Sequence, residues 1–243
     1  MRIPRVYTHH PLDPGRQLAL DGQSAHYLLR VLRVNVEQPV VLFNGDGHDY
    51  AAEVVRAQKR EITLSVLSRL PAAREPEIEI TVVQAISRGE RMDQTLQKCT
   101  ELGAASFLPL LSERVEVKLG GDKLEKRLEH WRGVVISACE QSGRARIPQV
   151  HRPLKLTDWL TSDRNGLSVV LAPGADTPLA RISLPSSVQI AIGPEGGFSS
   201  TELGLMVSQD VRAVSLGPRV LRTETAAPAA VTVIQTMAGD FAY

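Results

Sequence analysis

Apolar and polar positions follow two different regimes along this chain. In the first third, short apolar runs alternate with polar positions over Val40 to Phe43, Tyr50 to Ala57 and Glu61 to Leu67. They are joined by the turn-rich "NGDG" and the polar "QKR", which predicts short strands in succession and a small β-barrel or sandwich. One helical segment, "SAHYLLRVLR", interrupts them, with Ser24 as the N-cap candidate and Arg30 and Arg33 spaced i,i+3 to share a face. A break is predicted at "SRLPAAREPE", residues 68 to 77, where two prolines and mixed charges end the periodicity. The domains drawn from it are 1–71 and 72–243.

Beyond the break, strand-like runs alternate with helical ones. "IEITVVQAI" is a buried-type strand, and the helix "RMDQTLQKCTELG" follows, with Met92, Leu96, Cys99 and Leu102 on one stripe and Gly103 as its stop. "SFLPLL" is the next strand, and a longer helix from about Lys123 to Gln141 carries Leu124, Leu128, Trp131, Val135 and Ala138 on its apolar side. Further strands are "LSVVLA" from 167, "VQIAIG" from 187 and "VRAVSL" from 211, before a last helix, "TAAPAAVTVIQTMAG". This alternation predicts an α/β domain with a largely parallel sheet. No internal repeat or low-complexity segment occurs.

The connections after three of these strands share one character. In "QIAIGPEGGFSSTE", residues 189 to 202, Gly193, Gly196 and Gly197 permit a sharp turn and close backbone approach, Pro194 fixes a torsion, and Ser199 with Glu202 forms a capping box for the next helix. Ligands of open α/β sheets bind at the carboxyl ends of strands. The pattern is neither of the common phosphate-binding glycine motifs, and Glu195 would repel a phosphate, so a neutral or cationic ligand fits better. The alternative is a tight turn whose glycines serve packing alone. "SLGPRVLRTETA", residues 215 to 226, and "VLAPGAD", residues 169 to 175, repeat the theme. Three such loops could enclose a flat adenine-sized group by backbone hydrogen bonds and contact from Leu171, Ile192, Leu216 and Leu221. Pro228 falls in the first turn of the last helix if Thr225 or Glu224 is its cap.

Composition narrows the function classes. The chain has 243 residues, 43% hydrophobic and 23% charged, which is ordinary for a folded protein with a sizeable core. Its net charge is +1, too small for indiscriminate coating of nucleic acid, so any RNA binding must rest on local patches. Most of the 28 basic residues are arginines, which suit bidentate phosphate contact. Arg30 and Arg33 could grip phosphates, or be the solvated side of an amphipathic helix. No apolar run approaches the roughly 20 residues of a membrane span, and the N-terminus has no signal-like core, so a soluble cytoplasmic protein is expected. Cys99 and Cys139 lack metal-ligand or CxxC spacing and are expected as buried thiols, and the six histidines show no metal-ligand pattern, so neither metal nor disulfide is expected.

Four longer motifs, "GERMDQTLQKCTELGA", "SACEQSGRARIP", "IGPEGGFSSTE" and "SLGPRVLRTETA", resemble those of the bacterial 16S ribosomal RNA uridine-N3 methyltransferases, members of the SPOUT superfamily. The resemblance covers nearly the whole chain, including "MRIPRVY" and "HYLLRVLR". It implies a PUA-like β-barrel RNA-binding domain over 1–71 and a SPOUT methyltransferase domain with a deep trefoil knot over 72–243. It further implies a homodimer, S-adenosylmethionine as cofactor, and 16S rRNA in the small ribosomal subunit as partner. The cofactor site implied comprises Leu171 and Ala172, the run Ile192, Gly193, Pro194, Glu195, Gly196 and Gly197, and then Leu216, Gly217, Leu221 and Thr225. The implied RNA contacts are Arg5, Arg30, Arg33, Arg88, Arg91 and Arg144; the positions near the two helices, with Lys98, Glu140, Gln141 and Arg146, line an RNA-facing cleft or a dimer contact. Pro228 departs from the pattern, where a more ordinary helix former would stand.

The chemistry so implied needs a nucleophile at uracil N3, which carries a proton, so methyl transfer requires positioning and help with deprotonation. Arg222 and Glu224, beside the cofactor loop, are the candidates for holding the uracil and for taking or relaying that proton. Glu195 has the alternative of bonding backbone amides within its own loop. Two rival readings stay open: another SPOUT RNA methyltransferase acting on a ribose 2′-hydroxyl, and a non-catalytic RNA-binding or ribosome-assembly factor. Bare loops over Gly193 to Gly197 and Arg222 to Thr225 count against the second, because a binding module has no need of them.

Overall fold

The computed structural model describes residues 3–72, 75–115 and 121–241; Met1 and Arg2 of the N-terminal motif and two positions of the expected break, Ala73 and Arg74, lie outside them. The chain divides into two compact units, Met1–Arg74 with Cys139–Ile147, and Glu75–Ala138 with Pro148–Tyr243. The second run of the first unit, at the end of a long helix, has no counterpart in the sequence reading.

The first unit is a mixed five-stranded sheet built from β1 (Arg5–Tyr7), β2 (Gln17–Leu20), β3 (Pro39–Phe43), β4 (His48–Ala57) and β5 (Ile62–Ala72). Its order is β1-β3-β4-β5-β2, with β1 parallel to β3 and the other pairs antiparallel. Alternation decides which side is buried: Tyr50, Ala52 and Val54 of β4 join Ile62, Leu64 and Val66 of β5 in one core with Val6, Leu28 and Leu42. Register shifts along β4 and β5 twist this pair. β1 and β2 escape the periodicity because three or four residues hold too few alternations to register. β5 continues through Pro71 to Ala72, and the two units divide after position 74, within the stretch 68–77. At the strand's end Pro71 has no ladder partner, so its missing N–H is tolerated.

The expected helix over 24–33 is corrected. Helix α1 spans Gly22–His26 and passes into a wider π turn over Tyr27–Val31, closed by Leu32 N–H donating to Tyr27 O at 3.0 Å. Ser24 lies inside α1 rather than at its cap, and its hydroxyl donates to Tyr7 O at 3.2 Å. Arg33 follows the helix in the left-handed region, at φ 52°, so it does not share a helical face with Arg30; both are exposed.

The second unit holds a seven-stranded sheet whose pairings are all parallel. Its strands are β6 (Glu79–Ala85), β7 (Ser106–Leu111), β8 (Gln149–Val150), β9 (Leu154–Lys155), β10 (Leu167–Leu171), β11 (Ser187–Ile192) and β12 (Arg212–Val214). The order is β12-β10-β11-β6-β7-β8, with β9 beside β7. The sheet is flanked in sequence by α2 (Arg91–Glu101), α3 (Asp122–Ser142), α4 (Leu156–Thr161), α5 (Ser200–Ser208) and α6 (Thr223–Ala238). Central strands β6 and β11 are largely buried, most completely toward their carboxyl ends, as a parallel sheet covered on both faces requires. Val83, Val170 and Ala191 of adjacent strands pack with Trp159, Phe198 and Met206. β8, β9 and α4 were not anticipated, being too short to show a period. Gly103 ends α2 at φ +93°, as read.

The start of α6 is also corrected. Arg222, not Thr225 or Glu224, is the N-cap, so Pro228 stands in the second turn. There it cannot donate to the Glu224 carbonyl four residues back. Cys99 and Cys139 are both buried, and burial pushes the Cys99 thiol well above its ordinary range. Among the described residues no helix is long and apolar enough to cross a membrane, and no group of three His, Cys, Asp or Glu side chains is placed to hold a metal ion.

Candidate functional site

The three loops singled out in the sequence leave β10, β11 and β12, and the sheet order makes these strands direct neighbours. Their loops therefore emerge side by side at one edge of the sheet, at the carboxyl ends. Together they line a cavity of about 580 Å³, within the range of small-ligand sites. Leu171 and Ala172 come from the first loop, Ile192 through Gly197 from the second, and Leu216, Gly217, Leu221, Arg222 and Glu224 from the third. Thr225 does not line it: the side chain is exposed, and its N–H donates to Arg222 O at 2.9 Å as the first turn of α6 closes.

The glycine loop is held by its own compactness. Gly197 N–H donates to Pro194 O at 2.8 Å, and Gly197 sits at φ +66°, where a side chain is strained. A Cβ on Gly193 would lie 3.0 Å from both Gly197 Cα and Phe198 N, so this position has room for hydrogen only. Gly196 differs, since a Cβ there would meet only the Arg114 side chain, at 3.3 Å. Arg114 donates to Gly196 O at 2.5 Å. Beyond the loop, the capping box is formed: Glu202 N–H donates to Ser199 Oγ at 3.2 Å and Ser199 N–H to Glu202 Oε2 at 2.9 Å. Glu202 Oε1 accepts from Glu113 N–H at 2.7 Å, so one buried carboxylate joins α5 to the segment after β7.

Charge within the cavity is organised around Arg91. It donates to Glu195 Oε1 at 3.1 Å and stands 3.7 Å from Glu224 Oε2. Glu195 also accepts from the backbone N–H of Arg88 at 2.9 Å, so its partners come from the segment before α2 as well as from its own loop. Partial burial acts to raise the Glu195 pKa, but the Arg88 and Glu195 backbone N–H groups and Arg91 outweigh it and hold the carboxyl below its usual range. Glu224, in the first turn of α6, benefits from the helix dipole, yet its Oε2 is buried without a hydrogen-bond partner among the described residues. Arg222 is exposed at the cavity wall and makes no ion pair among the described residues.

Two residues missed in the sequence tie the site together. Thr223 Oγ1 donates to Gly193 O at 2.9 Å and accepts from Gln84 Nε2 at 2.9 Å. A polar Gln84 within the fully buried second half of β6 is the available signal. Pro173, Phe198, Leu203, Val214, Arg219 and Val220 also line the cavity and were passed over, because they flank the motif residues without a distinguishing type.

The arginines expected to meet RNA are dispersed. Arg5 turns inward: its side chain is only 11% exposed and bonds within its unit. It grips Asp49 with Nε and Nη2 at 2.6–3.1 Å, donates to Cys139 O at 2.6 Å and Arg144 O at 2.8 Å, and lies over the Phe43 ring. Arg144 thus serves this network through its backbone carbonyl, and its side chain is half-buried. Arg91 belongs to the cavity, Arg88 is exposed beside it in sequence, and Arg30 and Arg33 are exposed on the first unit.

Comparison with known proteins agrees with this architecture. Residues 74–235 match the family model of an RNA methyltransferase domain and residues 20–67 that of an RNA methyltransferase PUA domain. Ribosomal RNA small subunit methyltransferase E of Buchnera aphidicola is 31% identical over 242 residues, covering 99% of this chain and 96% of that protein. The crystal structure of the Neisseria gonorrhoeae protein of the same name, bound to S-adenosyl methionine, superposes with a TM-score of 0.92 at 34% identity over 99% of this chain and 100% of that one. A Legionella pneumophila methyltransferase in complex with the bound cofactor SAM gives a TM-score of 0.95 at 37% identity, again over 99% and 100%. With its parallel sheet, its PUA unit and three bare loops around one cavity, the chain belongs to the RNA methyltransferase family.

Proposed function

We propose that this protein uses S-adenosylmethionine to methylate N3 of a uridine in the decoding region of small-subunit ribosomal RNA. It does so in the cytoplasm as a homodimer, with the segment carrying the three loops threaded as a trefoil knot. The observation that carries this reading is the cavity in which the glycine loop meets Arg222 and Glu224. The residues fit the cofactor: Leu171, Ile192, Leu216 and Leu221 offer apolar contact to an adenine, bare backbone surrounds it, and Glu224 Oε2 is a buried acceptor awaiting a donor. When bound, S-adenosylmethionine supplies an electrophilic methyl group.

The chain's own contribution is placement and proton handling. The loops hold the donor while Arg222, exposed and without an ion pair among the described residues, is available to a uracil carbonyl, where it stabilises the charge left by deprotonation. Glu224 takes the N3 proton, directly or through water. Orientation of bound reactants can supply about 7–11 kcal/mol of the barrier, whereas a general base adds roughly 10²–10⁴ in rate. Positioning is the larger share. Arg30 and Arg33 on the first unit supply phosphate contacts for docking.

The test is incubation of the purified protein with methyl-labelled S-adenosylmethionine and unmodified small ribosomal subunits, followed by digestion and mass spectrometry of the nucleosides. Labelled 3-methyluridine at one site is the expected product. A ribose-methylated nucleoside would replace the acceptor, and cofactor binding without label on subunits or free RNA would favour a binding factor.

A further inference from the structure

Gln84 is fully buried at the penultimate position of β6, in register with Ile192 on β11, directly before Gly193. Its Nε2 donates to Ala85 O and to Thr223 Oγ1, both at 2.9 Å. The Ala85 carbonyl can only accept, so the amide nitrogen, not the oxygen, must point this way. Thr223 Oγ1 therefore receives a proton from Gln84, and its own single proton is directed to Gly193 O at 2.9 Å. The polarity of the chain is fixed from one end to the other.

Thr223 is placed for this task at a cost elsewhere. A threonine beside a helix start ordinarily caps it, but Arg222 occupies the cap of α6 without a side-chain cap bond, and the Thr223 hydroxyl leaves the helix for the glycine loop. Gln84 Oε1 is buried with no partner among the described residues, so the amide orientation is kept although half its bonding capacity is lost.

Resting on the methyltransferase reading, we propose that Gln84 and Thr223 are positioning residues: their hydrogen-bond relay from β6 to the Gly193 carbonyl locks the start of α6 to the glycine loop. The two walls of the cavity are thereby held in register, with Glu224 next to Thr223 on one and Gly193 to Gly197 on the other. Thr223 lines the cavity beside Glu224, whereas Gln84 acts on it through Thr223.

The test pairs Thr223→Val, which keeps shape and removes both bonds, with Thr223→Ser, which restores the hydroxyl. S-adenosylmethionine affinity is read by calorimetry and kcat by methyl incorporation into unmodified small subunits, with thermal unfolding recorded for each variant. Thr223→Val is expected to weaken cofactor binding about tenfold and lower kcat about 10- to 100-fold, the scale of misplaced reactants, while Thr223→Ser recovers most of both. Wild-type values in Thr223→Val, or a loss that serine does not rescue, overturn the relay. If Thr223→Val does not fold, Gln84→Met keeps the hydroxyl but removes what directs it: a fall in kcat with little change in unfolding temperature supports the relay, and an unchanged kcat overturns it. Wild-type protein that binds no S-adenosylmethionine overturns the methyltransferase reading itself, whereas normal wild-type binding with an unaffected Thr223→Val overturns the relay alone.

Discussion

Arg5 in the first unit and Arg91 in the second both face carboxylates, but their bonding differs in kind. Arg5 meets Asp49 through two nitrogens and donates as well to the Cys139 and Arg144 carbonyls, with Phe43 beneath it. Arg91 makes one hydrogen bond to Glu195 and only a 3.7 Å approach to Glu224, whose Oε2 stays without a hydrogen bond among the described residues. A saturated network has nothing to offer a ligand and acts in folding. An unsaturated one keeps bonding capacity that a ligand can complete, at the expense of local stability.

The largest effect is expected where the unsaturated group acts. Glu224→Gln keeps the shape and removes the base, so single-turnover methylation should slow roughly 10²- to 10⁴-fold; a rate within threefold of wild type would leave Glu224 out of the chemistry. Gly196→Val comes next. A Cβ there meets only the flexible Arg114 side chain, so the variant is expected to fold, while the branched side chain intrudes where backbone meets cofactor. S-adenosylmethionine affinity should fall about 100-fold, ~2.7 kcal/mol, by calorimetry.

The saturated network predicts the opposite division. Arg5→Ala leaves Asp49 without its partner and should cost about 3 kcal/mol in urea unfolding, with cofactor affinity unchanged in the folded fraction. A fully stable Arg5→Ala protein would erase the contrast. Smaller still is the contribution of Arg30 and Arg33: the double alanine variant should weaken RNA binding and flatten its salt dependence by about one to two units of slope. The least effect is that of Glu195. Its folded pKa lies below the unfolded value, so its stabilisation is present above about pH 4.5 and is lost as pH falls through the lower folded pKa. The stability difference between wild type and Glu195→Gln should vanish on acidification through that window, and a constant difference would remove the carboxylate from the account.

Where the sequence reading succeeded, the signal was local and redundant. Gly193 to Gly197, the Ser199–Glu202 capping box and the strands feeding the three loops each carry their pattern within a few residues. Where the sequence is silent, a distant partner decides. Residue type and motif say nothing of what holds Arg5, and in the fold Asp49 and two carbonyls 134 and 139 positions away bond its side chain. Thr225 and Thr223 differ little in sequence, yet the helix begins one residue after Arg222 and turns Thr223 toward Gly193 while Thr225 faces solvent. Arg33 lost its helical face to a π turn, which no apolar spacing announces.

By itself, then, the sequence determined the elements and the loop chemistry, because hydrophobic period, glycine freedom and capping are properties of a few consecutive residues. Only the tertiary structure decided that β12, β10 and β11 lie side by side, that Arg91 stands between Glu195 and Glu224, and that Gln84 reaches Thr223 across 139 positions. Those are long-range pairings, set by which strands share a buried sheet. A hydrogen bond of 2.9 Å between side chains so far apart in the chain leaves no trace in the spacing of either.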